Sequence, residues 1–411
     1  MKNNAKARAG TPRSLECGSS LPLLRVPLRV TLAVSTRPLA ISGIISAMDK
    51  SRKRLSRLLL LCICILFAVP PLLSQNVTAP ASPLAPGPKP PDAPAGWKRF
   101  VGVYEYSNNG NYKQTVVILE RDQRAYMHYS SRPDEEIHFD SDKRFMFVPD
   151  PVKGSWTYGI IEEPGMPASF VYLTESYIRT DAGADPAHFF HVVPTRPVEE
   201  LRAVALAAKP PEETGPFRKA ELVELVTLDP AFHLDIRYAH SNNFLSTPLY
   251  TQARAFMQRP AAEALLRVLR KLQPLGYGLL IHDAYRPWYV TKLFWDATPP
   301  EDHSFVADPQ KGSKHNRGCA VDLTLYDLAT GKVIEMPGLY DEMSPRSFPT
   351  FPGGTALQRW HRDLLRRAME FEGFTVDQNE WWHFDYRDWK LYSILNVPLE
   401  KLYTAAVMRQ D

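Results

Sequence analysis

The chain has 411 residues, of which 44% are hydrophobic and 23% are charged, a composition typical of folded globular proteins. A length in this range predicts roughly two or three domains. The formal net charge is +4, but residues 1–57 alone carry +10, so the remainder carries −6. Because no basic domain follows residue 57, the charge pattern argues against binding to nucleic acid.

The N-terminal part is predicted to be a leader. Residues 1–47 are rich in Arg, Ser and Pro, and Met48 opens a basic stretch before an apolar run of twelve residues, 58–69. Such a run suits a signal peptide better than a membrane span. We therefore expect Met48 to be the true start and residues 1–47 to be a mis-annotated upstream extension, followed by a signal peptide at 48–75 and export to the periplasm. The alternative is an uncleaved leader that anchors the protein to the inner membrane, which is the only membrane contact the sequence predicts.

A Pro-rich linker and a β-rich region follow the leader. Residues 76–96 include seven prolines and are predicted to form an extended spacer. Residues 97–200 alternate short β-branched or aromatic runs with turns, which predicts a small all-β accessory domain, either a barrel or a sandwich. Its predicted strands are 101–106, 115–120, 125–129, 144–148, 170–173 and 189–193. Its scattered histidines are interpreted as scaffold or surface residues: His128, His138, His188 and His191.

The C-terminal half has the pattern of an α+β domain. Residues 201–217 are predicted to be a connector, and residues 218–411 mix helices and strands without a βαβ rhythm. The predicted strands are 222–238, 279–282, 374–376 and 381–386. The predicted helices begin at Pro260, at Trp288 and near Leu357. Cys319 is the only cysteine of this half, so a disulfide framework is excluded there, and we interpret it as a small packed residue rather than a nucleophile.

Two short stretches of this domain carry candidate metal ligands. Residues 313–324 contain His315 and Asp322, and residues 380–383 contain Glu380 and His383. Imidazole and carboxylate are both zinc ligands, and a catalytic zinc has three protein ligands and one open position. Asp322 lies in an apolar run, where a buried carboxylate requires a cation or strong donors. The sequence therefore predicts a zinc site.

Two further charged residues are candidates for catalysis. Glu380 precedes the last predicted strand, and from that bend it is placed to act as a general base; the alternative is a residue that only closes the strand. Arg286 follows a buried strand in the sequence DAYRP and is suited to stabilising an oxyanion. Its alternative role is a structural ion pair with Asp283.

The two motifs together resemble the signature of a known family. The pattern SxHxxGxAxD at 313–322 with ExWH at 380–383 is similar to that of the zinc D-Ala-D-Ala peptidases, and most of all to the D-alanyl-D-alanine dipeptidase branch. The similarity extends over residues 222–397. It implies an α+β catalytic domain of the Hedgehog/DD-peptidase type.

The resemblance also implies roles for individual residues. One Zn²⁺ would be held by His315, Asp322 and His383. Glu380 would be the base and acid, and Arg286 would stabilise the transition state. The residues that match the family's contacts to the free amino group of the substrate are Ser313 and Asp341.

The activity implied by the resemblance is hydrolysis of D-alanyl-D-alanine to two D-alanines in cell-wall peptide metabolism, with a zinc-bound water activated by Glu380. Two alternatives remain open: a D,D-carboxypeptidase acting on longer peptidoglycan stems, and a non-catalytic wall-binding protein. Asp341 favours the dipeptidase because a carboxylate there would select a free ammonium group. The complete set of ligands and base argues against the non-catalytic alternative.

Overall fold

The computed structural model describes residues 82–107, 113–140, 145–150, 154–161, 168–172, 175–180 and 190–402. The predicted upstream extension and signal peptide lie outside these ranges. Within the described ranges, no helix combines the length and the apolar character that crossing a bilayer requires. The buried hydrophobic side chains form two separate cores, one in the β-rich region and one in the C-terminal half.

The β-rich region is a closed antiparallel barrel of eight strands, which follows a short helix, α1 (Ala95–Lys98). Its strands are β1 (Gly102–Ser107), β2 (Lys113–Arg121), β3 (Arg124–Tyr129), β4 (Arg132–Phe139), β5 (Phe145–Asp150), β6 (Gly154–Ile161), β7 (Ser169–Tyr172) and β8 (Glu175–Arg179). Each strand pairs with the next, and β8 returns to β1, where Tyr104 lies opposite Arg179. Closure removes the unpaired edges that an open sheet would expose. The prediction of an N-terminal β region is confirmed.

The barrel differs from the prediction in its number of strands. Strand β4 has the sequence RPDEEIHF, whose charges hide the β pattern because only Ile137 among its side chains is fully buried. The strand predicted at 189–193 is wrong for residues 190–193, which pair with no strand. Val192 N instead donates to Phe244 O at 2.8 Å, which ties this segment to the C-terminal half.

The C-terminal half is built on a mixed five-stranded sheet in the order β10-β12-β13-β15-β14. The strands of this half are β9 (Leu222–Glu224), β10 (His233–Leu234), β11 (Phe256–Gln258), β12 (Tyr277–Asp283), β13 (Ala320–Asp327), β14 (Phe374–Val376) and β15 (His383–Tyr386). The helices are α2 (Val198–Ala207), α3 (Leu225–Leu228), α4 (Arg259–Leu272), α5 (Trp288–Ala297) and α6 (Ala356–Phe371). Strand β10 is parallel to β12, whereas the other neighbours in this sheet are antiparallel. The predicted mixture of helices and strands is confirmed.

Local sequence signals explain the two long helices. Pro260 lies in the first turn of α4, where its missing N–H costs no helical hydrogen bond. Helix α6 begins with a capping box between Thr355 and Gln358, and Gly373 follows it with a φ of +88°. The continuous strand predicted over 222–238 is wrong, because α3 interrupts it and a 3-10 turn ends it.

The Pro-rich segment is packed against the C-terminal half, so its prediction as an extended spacer is wrong where it is described. Leu84 is only 5% exposed and belongs to the larger core. Trp360 Nε1 donates to Gly87 O at 3.0 Å, and Lys89 Nζ lies 5.2 Å from the centre of the Tyr277 ring. Few contacts are needed to order such a chain, because proline already restricts it before folding.

Removing residues 82–96 is therefore expected to lower the melting temperature. Burial of Leu84 is worth roughly 1.5–3 kcal/mol and the Trp360 hydrogen bond about 1 kcal/mol. Each kcal/mol shifts the melting temperature by about 2–4 °C in a domain of this size. A protein that begins at residue 97 should melt at least about 5 °C below one that begins at residue 82, as measured by calorimetry. Leu84→Ala should reproduce part of the loss and Asp92→Ala, at an exposed site, little of it; equal melting temperatures for both chain lengths would contradict the prediction.

The barrel is joined to α6 by hydrogen bonds. Glu120, at the end of β2, is fully buried, and its Oε2 accepts from Ala356 N at 2.8 Å. A carboxylate at this position is stabilised by the N-terminal end of the helix. Arg359 Nη2 donates to Glu120 O at 2.6 Å, and Leu119 forms a parallel bridge with Gly354.

Candidate metal and substrate site

The three predicted metal ligands converge on one point. His315 lies in a 3-10 turn before β13, Asp322 lies within β13, and His383 begins β15, directly opposite Asp322 in the sheet register. His315 Nε2 lies 3.0 Å from His383 Nδ1, which lies 3.0 Å from Asp322 Oδ1. The third side, from His315 Nε2 to Asp322 Oδ1, is 3.2 Å. Ligands about 2.0–2.1 Å from a tetrahedral zinc are roughly 3.3 Å apart, so the triangle has the size of a zinc site.

The hydrogen bonds of the two histidines indicate which ring nitrogens carry lone pairs. His315 Nδ1 lies 2.6 Å from Ala284 O, and His383 Nε2 lies 2.9 Å from Asp385 Oδ1. In neutral rings these nitrogens are the donors, which leaves His315 Nε2 and His383 Nδ1 with lone pairs. Two nitrogen lone pairs and a carboxylate oxygen therefore face one another. This donor set fits a divalent cation.

Asp385 and Lys314 support His383 from the side away from the triad. Lys314 Nζ lies 3.1 Å from Asp385 Oδ2. Burial disfavours a charged imidazole, yet the carboxylates of Asp385 and Asp322 outweigh burial and raise the pKa of His383 well above its usual value. The sequence interpretation missed Asp385. A signal was present, because residues two apart on a strand share a face and Asp385 follows His383 by two.

Asp322 is fixed by more than its two histidine neighbours. It is 2% exposed, and Tyr340 donates its hydroxyl hydrogen to Asp322 Oδ2 at 3.2 Å. Burial alone would raise the pKa of Asp322, but His315 and His383 outweigh burial and hold it below the usual value. The carboxylate is therefore ionised at neutral pH and available as a ligand.

Glu380 lies beside the triad on the turn between β14 and β15, as its place before the last strand predicts. Its Oε2 is 3.6 Å from His383 Nδ1, and its side chain, which is 22% exposed, belongs to a residue that lines the cavity. The turn is closed by Asp377 N, which donates to His383 O at 3.0 Å. Burial raises the pKa of Glu380 well above its usual value; His383 opposes the shift and the carboxylate of Asp322 reinforces it. A carboxyl group with a raised pKa, next to a metal triad, has the properties of a general base.

Arg286 is buried at the edge of the same site, and the two roles considered for it are compatible in the structure. Its Nε donates to Asp283 Oδ2 at 2.8 Å, which is the predicted ion pair. Its Nη2 lies 3.5 Å from Asp322 Oδ2 and its guanidinium group lines the cavity. Tyr250 OH also donates to Asp283, at 2.8 Å. The ion pair therefore orients one edge of the guanidinium, while the other edge points toward the triad.

Asp341 presents a carboxylate oxygen without a partner. Its Oδ1 accepts from Tyr238 OH at 3.0 Å, whereas its Oδ2 is buried and has no hydrogen-bond partner among the described protein atoms. Burial and the negative charge of Asp322 raise the pKa of Asp341 to about 8. Its backbone adopts a φ of +59°, which is unusual for a residue other than glycine. A cationic group would satisfy both the charge and the free oxygen.

Ser313 lies at the start of the turn that carries His315. Its Oγ accepts from His315 N at 3.2 Å, and its side chain lines the cavity. The structure therefore gives Ser313 a local role in shaping the ligand turn, and it leaves the hydroxyl hydrogen able to reach a bound molecule.

One cavity of about 200 Å³ brings these residues together. Its wall contains all seven residues predicted from the sequence: Arg286, Ser313, His315, Asp322, Asp341, Glu380 and His383. Residues 304–307 form another part of the wall, and Asn379 Nδ2 donates to Ser304 O at 3.2 Å. Tyr238 and Tyr340 were not predicted, because an aromatic hydroxyl in a buried segment has no distinct sequence pattern.

Cys319 lies close to the ligands in sequence but does not line the cavity. It is fully buried, and burial raises the pKa of its thiol to about 12. A protonated, inaccessible thiol is a poor nucleophile, in agreement with its interpretation as a packed residue.

A family model and several known proteins match the C-terminal half of the chain. Residues 218–398 match a family model described as D-ala-D-ala dipeptidase, within the M15 peptidases, which are metallopeptidases. A D-alanyl-D-alanine dipeptidase of Escherichia coli (strain K12) is 35% identical over 175 residues, which are 43% of this chain and 89% of that protein. Proteins of the same name from Enterococcus faecium and Streptomyces coelicolor (strain ATCC BAA-471 / A3(2) / M145) are 34% and 33% identical. Those matches cover 38% and 43% of this chain, and 85% and 93% of the respective relatives. The chain therefore belongs to the D-ala-D-ala dipeptidase family of M15 peptidases.

Proposed function

We propose that this protein is a zinc-dependent D-alanyl-D-alanine dipeptidase that releases two D-alanines. The observation that carries the proposal is the meeting, in one cavity, of a metal triad with an adjacent Glu380 and the buried carboxylate of Asp341. The names of the relatives support the same substrate. The catalytic fold is proposed to be of the Hedgehog/DD-peptidase type.

In the proposed mechanism, His315, Asp322 and His383 would hold a zinc ion, which when bound would supply Lewis-acid polarisation of the scissile carbonyl and a water molecule of lowered pKa. Glu380 accepts the proton of the attacking water and then donates it to the nitrogen of the departing D-alanine, so it ends the cycle ionised again. Arg286 Nη2, on the edge of the guanidinium that does not bond Asp283, lies beside Asp322. From there the guanidinium would stabilise the negative charge that develops on the carbonyl oxygen.

Asp341 is proposed to bind the free ammonium group of the dipeptide, and Ser313 to assist it. The unpartnered Oδ2 of Asp341 would accept one N–H, and Tyr238 would keep the carboxylate oriented through Oδ1. An acylated nitrogen carries no charge and only one N–H, so it could not satisfy this carboxylate. The same contact therefore favours a dipeptidase over a D,D-carboxypeptidase that acts on longer peptidoglycan stems.

The parts of the chain before the catalytic domain are proposed to include an export leader and an accessory domain. Residues 1–47 are an upstream extension, residues 48–75 a signal peptide, and residues 76–96 the Pro-rich segment. The barrel within residues 97–200 is an accessory domain, followed by a connector at 201–217 and the catalytic domain at 218–411. Export would place the enzyme in the periplasm, where it would act on cell-wall peptides. An uncleaved leader would instead hold it at the inner membrane.

The function is tested with protein that begins at residue 82, so that the packed Pro-rich segment is retained. Release of D-alanine from D-alanyl-D-alanine is measured before and after treatment with a chelator, and after addition of zinc, together with the metal content. We expect activity in proportion to bound zinc, loss on chelation and recovery with zinc. Metal-loaded protein that leaves the dipeptide intact would refute the proposal.

Replacing Asp341 with asparagine tests the ammonium contact. A hydrogen bond between charged groups is worth about 1.5–3 kcal/mol, so Asp341→Asn should raise KM for the dipeptide roughly 10- to 100-fold. The steady-state rates of both proteins are compared on the dipeptide and on its N-acetyl derivative. The derivative should be a poor substrate for both proteins; a wild type that prefers it, or a variant with an unchanged KM, would contradict the assignment.

A further inference from the structure

The two carboxylate oxygens of Asp322 have different neighbours. Oδ1 faces the other two candidate ligands, at 3.0 Å from His383 Nδ1 and 3.2 Å from His315 Nε2. Oδ2 instead meets protein donors, because Tyr340 donates its hydroxyl hydrogen to it at 3.2 Å and Arg286 Nη2 lies 3.5 Å away. The carboxylate therefore offers one oxygen to a cation, while the protein engages the other.

The ring that carries this hydroxyl group is held by packing. Tyr340 is 8% exposed, its ring centre lies 4.5 Å from that of His282, and the Trp382 ring meets it edge-on with the centres 5.5 Å apart. His282 belongs to β12, and Trp382 directly precedes the candidate ligand His383. A side chain packed on two sides by such elements has little freedom to turn. The packing therefore sets the position of the hydroxyl oxygen relative to Asp322.

We propose that Tyr340 is a positioning residue for the metal site, whose hydroxyl group keeps Asp322 a ligand through Oδ1 alone. A carboxylate can bind a cation through one oxygen or through both. Binding through both would use coordination that a catalytic zinc keeps open for water or substrate. A donor on Oδ2 favours binding through Oδ1. Tyr340 itself does not line the catalytic cavity, and the inference rests on the metal triad of the proposed function.

Arg286 does not make the hydroxyl group redundant. Its Nη2 lies farther from Asp322 Oδ2 than Tyr340 OH does, and its proposed task is to stabilise the carbonyl oxygen of the substrate. A guanidinium drawn to that oxygen leaves Oδ2 to Tyr340. The hydroxyl group is also uncharged, so it orients the carboxylate without the repulsion that a second cation would add beside a metal ion.

Tyr340→Phe tests the proposal, because it removes the hydroxyl group and keeps the ring. Hydrogen-bond partners of metal ligands contribute roughly 10- to 100-fold to metal affinity or activity, so the Kd for Zn²⁺ should rise about 10-fold. It is measured on the full chain, without substrate, by competition with a chromophoric zinc chelator. The visible absorption of the Co²⁺-substituted protein gives a second readout, since it weakens when the ion gains ligands. The variant should absorb less than wild type, because Asp322 is then free to add its second oxygen.

Tyr250→Phe is the matched control. Tyr250 is also buried and its hydroxyl group also donates to a carboxylate, that of Asp283, at 2.8 Å, but Asp283 is not among the candidate ligands. This variant should bind Zn²⁺ as tightly as wild type. An unchanged Kd or an unchanged Co²⁺ spectrum in Tyr340→Phe overturns the proposal, as do equal losses of affinity in the two variants. Weakened binding in Tyr340→Phe alone, together with a zinc-loaded wild type that leaves the dipeptide intact, would refute the dipeptidase function and support the role of Tyr340.

Discussion

Glu380→Gln is expected to lower kcat for D-alanyl-D-alanine by about 10³-fold, within the range of 10²- to 10⁴-fold that a general acid–base residue contributes. Glutamine keeps the size and position of the side chain but cannot accept the proton of the attacking water. KM should change little, because Glu380 is proposed to act on water rather than to bind the dipeptide. Stopped assays of D-alanine release at saturating substrate measure the effect.

The melting temperature of metal-free Glu380→Gln provides a control, because it shows whether the substitution disturbs the fold. Some carboxyl groups have a higher pKa in the folded protein than in the unfolded chain. Such a group lowers the free energy of unfolding as the pH rises above its pKa in the unfolded chain. Because burial raises the pKa of Glu380 in this way, Glu380→Gln should melt at the same temperature as wild type or higher at neutral pH.

Asp377→Asn removes a carboxylate from the same turn and is the matched variant. Asp377 Oδ1 accepts from Asn379 N at 2.9 Å, and an asparagine oxygen can keep that bond. We expect less than a tenfold change in kcat. A Glu380→Gln variant with normal zinc content and at least a tenth of the wild-type kcat would contradict the role of Glu380 as base.

The candidate metal triad could be predicted because its chemistry constrains the sequence locally. His315 and Asp322 are separated by one turn and the start of one strand, and Gly318 between them has a φ of +67°. A Cβ at Gly318 would also lie 2.5 Å from the end of the Leu222 side chain, which would have to move, so the positive φ is the main reason for the motif's glycine. Such constraints leave a recognisable pattern in a single sequence.

Other features depend on contacts between distant segments, and the sequence did not reveal them. Leu84 is one apolar residue among prolines, and its burial follows only from the surface that the C-terminal half presents to it. Barrel closure likewise requires that β8 meet β1, and it rests on a register between Tyr104 and Arg179 that no local pattern encodes. Hydrogen bonds from buried hydroxyl groups, such as that from Tyr238 OH to Asp341 Oδ1, join residues more than a hundred positions apart in the sequence.

Arg286→Lys is expected to lower kcat/KM for the dipeptide by roughly 10²- to 10³-fold, which is the usual cost of removing one oxyanion donor. The arginine bonds Asp283 through Nε and extends Nη2 to within 3.5 Å of Asp322. The single ammonium of lysine cannot span both positions, although it keeps the positive charge. Zinc content should be unchanged, because Arg286 is not among the ligands.

Arg237→Lys separates the loss of the oxyanion donor from a general loss of packing. Arg237 is also buried and also donates through Nε to an acid, Asp235, at 2.6 Å, but it does not line the catalytic cavity. Both lysine variants should melt below wild type, since each weakens the ion pair of a buried arginine. Only Arg286→Lys should lose most of its kcat/KM. Equal losses in the two variants would mean that Arg286 acts through the fold, and a loss of less than about threefold in Arg286→Lys would remove it from the mechanism.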